Sequence, residues 1–153
     1  MKLKISTGYL KRSNLKVSEA SRPVKGLVKQ SLFSIVQKDL KDKNILDLFA
    51  GSGQLGFEAL SNGASFVTFV EKDLKANYII KENSVNLGVE DVVDVVRKDA
   101  LKYIGEANPD FDVVFADPPY EVKIRHFLKT VHLVLKDSGI LILFLQNKKD
   151  NKD

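Results

Sequence analysis

The chain has no cysteine and no tryptophan, only two histidines and one methionine, and four prolines among its 153 residues. Without a thiol there is no disulfide scaffold, no thiolate zinc site and no cysteine nucleophile. His126 and His132 stand six positions apart in a helical stretch and face different ways, so no two-histidine metal site is expected. Long apolar runs are also missing. The longest, Ile140 to Leu145, falls far short of the ~20 residues a bilayer helix needs, and Met1-Lys2-Leu3-Lys4 does not open a signal peptide. These absences point to a cytoplasmic protein with no metal and no membrane partner.

What is present fits one globular domain, with 44% apolar and 29% charged residues. A chain of this length buries roughly 68–70% of its unfolded surface, enough for one sizeable core. Its charge is unevenly placed. Residues 1 to 43 carry 11 Lys or Arg against 3 Asp or Glu, and the remainder carries 13 against 17. A basic segment on a mildly acidic body suits a polyanion such as nucleic acid, because cations that neutralise phosphates release counterions. A solvated lysine-rich surface gives the same count.

From Leu3 to Val17 apolar and polar residues alternate around the turn formers Gly8 and Ser13-Asn14, predicting a β-hairpin or arm. Pro23 then opens a stretch in which Val24, Leu27, Val28, Leu32, Ile35, Val36 and Leu40 follow helical spacing, predicting a helix over 23 to 40. Apolar runs at 45–50, 66–70, 92–96, 111–116 and 140–145 read as strands covered on both faces. Segments 55–60, 74–87, 101–103 and 122–135 supply crossover helices. The pattern predicts an α/β fold around a parallel, right-handedly wound sheet. Phe33, Phe49, Phe66 and Phe69 are expected in the core. Tyr9, in the basic arm, is either a stacking platform for a nucleic-acid base or an ordinary exposed turn residue.

The most informative segment is Asn44-Ile-Leu-Asp47-Leu-Phe-Ala50-Gly51-Ser52-Gly53-Gln-Leu-Gly56, a strand entering a glycine-rich turn and then a helix. Glycines there let the backbone turn tightly and approach a ligand at a helix start. Glu71 follows the second strand about 20 residues later, where an acid can bond both hydroxyls of a ribose. Loop and acid together indicate an adenosine-type cofactor, nicotinamide dinucleotide and S-adenosylmethionine alike. Asp47 discriminates between them. It is awkward beside a pyrophosphate and suited to the cationic amino group of S-adenosylmethionine, although a strand-end carboxylate can also serve loop backbone. Asp99, after the third strand, either accepts from an adenine amine or caps the next helix.

Asp117-Pro118-Pro119-Tyr120 follows the fourth strand, at the same sheet edge. Two prolines remove two N–H donors and leave rigid carbonyls that can only accept. A planar exocyclic amine is a poor nucleophile because its lone pair is delocalised. Asp117 and the Pro118 carbonyl can each accept one amine hydrogen and aim the nitrogen at an electrophilic methyl, with Tyr120 stacked on the base. A rigid surface turn with a capping aspartate is the plainer alternative.

With these residues the sequence resembles the Asp-Pro-Pro-Tyr group of S-adenosylmethionine-dependent methyltransferases, and within it the RsmD type, which methylates guanine N2 in 16S ribosomal RNA. The resemblance is carried by Ile5-Ser-Thr-Gly8-Tyr-Leu-Lys11-Arg12, Leu15-Lys-Val17, Arg22-Pro23, Ser31-Leu32-Phe33-Ser-Ile35, the segment from Asp47 through Gly63-Ala64, Val70-Glu71-Lys72-Asp73, Lys81-Glu-Asn83 and Asp117 to Tyr120. It implies a Rossmann-like class I methyltransferase fold with a mainly parallel sheet, an N-terminal β-hairpin arm and truncated C-terminal strands, so that strand five ends in an unpaired edge. The implied organisation is a basic arm over 1–21, a methyltransferase domain over 22–146 and a polar tail over 147–153.

Carried over by position, Asp47, Ala50, Gly51, Ser52, Gly53, Glu71, Lys72, Asp99 and Ala100 would hold the cofactor. Asp117, Pro118 and Tyr120 would hold the guanine, and Lys11, Arg12 and Arg22 would grip RNA. The expected partner of the monomeric chain is ribosomal RNA or an assembling small subunit. Methylation of adenine N6 in DNA or RNA uses the same amine logic, and a non-catalytic RNA-binding protein on a shortened sheet is the reading from another class.

Overall fold

A computed structural model describes residues 2–19 and 26–145. The N-terminal hairpin is present: β1, Lys2–Lys4, pairs antiparallel with β2, Asn14–Lys16, placing Leu3 opposite Leu15. The first helix, α1, is Gly26–Leu40. Arg22 and Pro23 lie outside the described residues. Along α1, Lys29, Phe33, Val36 and Leu40 recur at intervals of three and four and form its inward stripe.

Five parallel strands follow: β3 (Asn44–Leu48), β4 (Phe66–Val70), β5 (Val93–Val96), β6 (Phe111–Ala116) and β7 (Leu135–Leu143), in the order β5-β4-β3-β6-β7. They are linked by α2 (Gln54–Ser61), α3 (Leu74–Asn86), α4 (Ala100–Glu106) and α5 (Ile124–Thr130). Strands β3, β4 and β6 are buried nearly end to end, as their unbroken apolar runs require. Ile45, Val67, Phe69, Val113 and Phe115 face Phe33 of α1, Phe57 of α2 and Ile80 of α3. Leu46, Leu48, Val70, Val114 and Ala116 face Ile104 of α4 and Phe127 of α5. The sheet is thus the middle of three layers.

Some elements depart from the sequence pattern. Edge strand β5 is only half-buried and not covered on both faces. Phe33 and Phe69 are fully buried, whereas Phe49 and Phe66 are only partly so. The last strand begins five residues earlier than its apolar run, because Leu135 already pairs with Phe111. The register then jumps to Val113 opposite Ile140, so the polar residues between form a bulge. That early pairing shortens the preceding helix to α5 and a single 3₁₀ turn, Val131–Leu133. The outer edge of β7 has no partner strand among the described residues.

The arm is part of the main core rather than an appendage. Ile5, Leu15 and Val17 are buried, and Ile5 and Leu15 belong to the same cluster as Phe33, Phe57 and Phe69. Its polar backbone is matched by α2: the Glu58 carboxylate accepts from the Ser6 N–H at 2.7 Å and the Thr7 hydroxyl at 2.6 Å. Glu58 also pairs with Lys29 at 3.1 Å, the two side chains being 0% and 3% exposed. The Tyr9 N–H donates to the Ser61 carbonyl at 2.9 Å. Gly8 passes so close to α2 at φ +73° that a Cβ there would lie 1.9 Å from the Ser61 oxygen, so only glycine fits.

Candidate functional site

β3 and β6 are neighbours with Leu48 opposite Ala116. The glycine turn after β3 and Asp117-Pro-Pro-Tyr120 after β6 therefore leave the sheet side by side, at its carboxyl edge and where the strand order reverses. Glu71 and Asp99 leave the same edge after β4 and β5. The sequence elements assigned to cofactor and to base are thus brought together.

Within the turn, Gly51 and Gly53 have φ of +57° and +84°, conformations that glycine adopts without steric cost. Phe49, at φ +55°, enters the turn in the same region, its ring packed edge-on against Phe127. The Glu71 carboxylate braces the turn from β4: Oε1 accepts from the Gly51 N–H at 3.1 Å and Oε2 from the Asp73 N–H at 2.7 Å. Ala50 donates its N–H to the Val70 carbonyl and Gly53 to the Ala50 carbonyl. Ser52 is buried. Among the described residues no group accepts from the N–H of Gln54 or Leu55, which open α2, as expected of a helix start that receives an anionic group.

Asp47 is 1% exposed, and its Oδ2 accepts from the Gly56 N–H at 3.0 Å. It therefore serves the backbone of the first turn of α2 and still stands within the site. Burial raises its pKa well above the ordinary carboxylate value; the Gly56 hydrogen bond opposes the shift, and the charges of Asp117 and Glu71 add to it. Burial likewise raises the pKa of Asp117, which is half-buried. Among the described residues Asp47, Glu71, Asp99 and Asp117 take part in no ion pair. Four acidic groups on one edge, none of them ion-paired among the described residues, fit a ligand that brings positive charge and hydroxyls, and disfavour a pyrophosphate.

Asp99 caps α4, its Oδ1 accepting from the N–H groups of Leu101 and Lys102. The capping alternative is thus realised, and Ala100, the first residue of that helix, is buried. Lys72 is exposed, and its carbonyl accepts from Arg97 Nε at 3.4 Å. Pro118 is buried, and among the described residues nothing donates to its carbonyl, whereas the Pro119 carbonyl closes a turn with the Val122 N–H. Tyr120, two residues further on from Pro118, is 54% exposed. In the arm Lys11, Arg12 and Tyr9 are exposed. Arg22 lies outside the described residues. Among the described residues no cluster of His, Asp or Glu could hold a metal, and no helix is long and apolar enough to cross a membrane.

Sequence reasoning assigned no role to Asn83, Ser18 or Gln54. Asn83 and Ser18 bond the glycine turn at Ser52, and Gln54 carries a buried Oε1 that has no partner among the described residues. The available signal was the placement of Asn83 three residues after Ile80 on the buried face of α3, where a polar side chain requires a bonding partner.

The sequence matches the family described as Conserved hypothetical protein 95 over residues 3–152. It is 32% identical over 148 residues to a protein of Buchnera aphidicola named ribosomal RNA small subunit methyltransferase D, covering 92% of this chain and 77% of that one. It is 30% identical over 138 residues to the protein of the same name from Escherichia coli, covering 88% and 68%. Among solved structures, a hypothetical protein of Thermus thermophilus superposes with a TM-score of 0.82 at 28% identity, covering 92% of this chain and 84% of that one.

Proposed function

The chain belongs to the family described as Conserved hypothetical protein 95, and from its likeness to relatives named ribosomal RNA small subunit methyltransferase D we propose that it is an S-adenosylmethionine-dependent methyltransferase of small-subunit ribosomal RNA, acting on the exocyclic N2 amine of a guanine. The single observation that best supports this reading is the pairing of β3 with β6, which puts the acidic edge next to a Pro118 carbonyl that accepts from nothing among the described residues.

S-adenosylmethionine, when bound, supplies a methyl group activated by a sulfonium. The chain's own residues do the rest. Asp47 answers the cofactor's ammonium, the turn Ala50-Gly51-Ser52-Gly53 and the opening amides of α2 receive its carboxylate, and Glu71 accepts from its ribose. Lys72, Asp99 and Ala100 line the adenine end, Asp99 acting there through its cap on α4. Asp117 and the Pro118 carbonyl each accept one hydrogen of the guanine amine, which turns the nitrogen lone pair out of the ring plane and toward the methyl. The raised basicity of Asp117 makes it a better acceptor as positive charge develops on that nitrogen. Tyr120 offers its exposed face to the base. Lys11, Arg12 and Arg22 hold phosphates, and the chain works as a monomer in the cytoplasm on ribosomal RNA or the assembling subunit.

The test is transfer of labelled methyl to small-subunit rRNA, naked or in assembling particles, taken from a strain lacking this gene, followed by nucleoside analysis. N2-methylguanosine is the expected product. N6-methyladenosine would overturn the base assignment, and cofactor binding without any transfer would favour the non-catalytic RNA-binding reading.

A further inference from the structure

Asn83 makes three hydrogen bonds while its side chain is 1% exposed. Its Oδ1 accepts from the Lys16 N–H at 2.9 Å, and its Nδ2 donates to the Lys16 carbonyl at 3.0 Å. The same Nδ2 donates to the Ser52 carbonyl at 3.2 Å. Lys16 ends β2 of the arm; Ser52 lies between the two positive-φ glycines of the cofactor turn. One carboxamide therefore extends the arm as a strand neighbour would, and with its remaining hydrogen holds the turn. Two residues beyond Lys16, the Ser18 N–H donates to Ser52 Oγ at 3.4 Å, a second link between the same segments. The opposite side of the turn is fixed independently by Glu71 at Gly51.

Only a carboxamide of this length supplies one acceptor and two donors in a single plane. Aspartate lacks both donors and would set a carboxylate against two carbonyl oxygens; alanine leaves three backbone groups without their buried partner. A turn built on glycines has wide conformational freedom, so its bound shape must be imposed from outside, and here the arm imposes it through Asn83.

We propose that Asn83 is a positioning residue that couples the arm to the cofactor turn, so that RNA on the arm and cofactor in the turn strengthen each other's binding. The inference rests on the function proposed above. The coupling is reciprocal by thermodynamic necessity: the factor by which RNA tightens cofactor equals the factor by which cofactor tightens RNA.

The experiment measures S-adenosylhomocysteine affinity by calorimetry with and without a saturating 16S rRNA transcript, for the wild type, Asn83→Ala and Asn83→Asp. The wild type is expected to show a coupling factor of at least about 5, and both variants less than about twofold while keeping cooperative thermal unfolding. A merely structural role would weaken both affinities and leave their ratio unchanged; an unchanged ratio, or a factor of one in the wild type, overturns the proposal. Hydrogen exchange in the wild type provides a readout independent of the variants. Amides 51–55 are expected to exchange more slowly on addition of the transcript alone, and unaltered exchange also refutes the coupling. A wild type that binds neither cofactor nor transcript would instead overturn the proposed function, and the coupling with it.

Discussion

Replacing Glu58 with glutamine removes one atom's charge and almost no volume, so its effect isolates electrostatics. In the folded protein the Glu58 carboxylate receives the Ser6 N–H at 2.7 Å, the Thr7 hydroxyl at 2.6 Å and the Lys29 ammonium at 3.1 Å, with the two charged side chains 0% and 3% exposed. Glutamine keeps the oxygen that faces both the Ser6 amide and Lys29, but leaves Lys29 a buried cation with only neutral acceptors among the described residues, that oxygen and the Lys4 carbonyl at 3.4 Å. Stranding one partner of a buried ion pair costs about 3–5 kcal/mol, a large part of the roughly 5–15 kcal/mol that holds a domain together. For a chain of this size each kcal/mol is worth about 2–4 °C, so Tm is expected to fall by roughly 6–20 °C. Urea unfolding at pH 7 measures the loss directly. The double variant Lys29→Met, Glu58→Gln keeps the acceptor for Ser6 and removes the stranded charge, and is expected to recover more than half of it. A loss below about 1 kcal/mol for Glu58→Gln alone, the range of a solvated surface pair, would refute the reasoning.

Asp117→Ala is expected to lower methyl transfer by about 10² or more while cofactor affinity, read by calorimetry, stays within a few-fold. Asp47→Asn removes an acid whose folded-state pKa is raised; such a group costs nothing below its unfolded pKa and destabilises increasingly as pH rises through the folded value. The variant is therefore expected to melt above wild type at pH 7 in the absence of cofactor, to converge with it on acidification, and to bind cofactor more weakly; equal melting curves at pH 7 would contradict the burial argument. Lys11→Glu with Arg12→Glu, both exposed, is expected to leave stability unchanged and to reduce the slope of log affinity for rRNA against log salt by about one for each phosphate no longer neutralised. An identical slope would remove these residues from the RNA surface.

Much of the fold was legible because it rests on periodicity. The run from Phe111 to Ala116 and the run after Asn44 are apolar without alternation, and only a strand covered on both faces accommodates that. The Asp117 turn was legible as chemistry, since consecutive prolines leave few conformations and only acceptors. The last strand was misread because Leu135 is separated from its apolar continuation by a polar bulge that has no periodic signature. Phe49 was misplaced for a related reason: its φ of +55° is imposed by the turn it enters, and its sequence neighbours alone suggest continuing strand. Asp99 left two roles open until the N–H groups of Leu101 and Lys102 were located. Asn83 was marked only as a polar residue three positions after Ile80 on the buried face of α3; its partners stand 67 and 31 positions away and nothing local marks them.

The burial of Ile5 and Leu15 in the shared core, with Val17 buried after them, limits how such a protein can be altered or diversified. An RNA-reading segment joined by a linker could be exchanged between enzymes like a tool on a handle. Here, excision of the hairpin would remove core volume, strand the Lys29–Glu58 pair at Ser6 and Thr7, and release the turn that Asn83 holds. Any chimera that exchanges the hairpin between relatives must therefore move α2 and the Asn83 helix with it, whereas the exposed residues Tyr9, Lys11 and Arg12 can be substituted on a hairpin that stays in place.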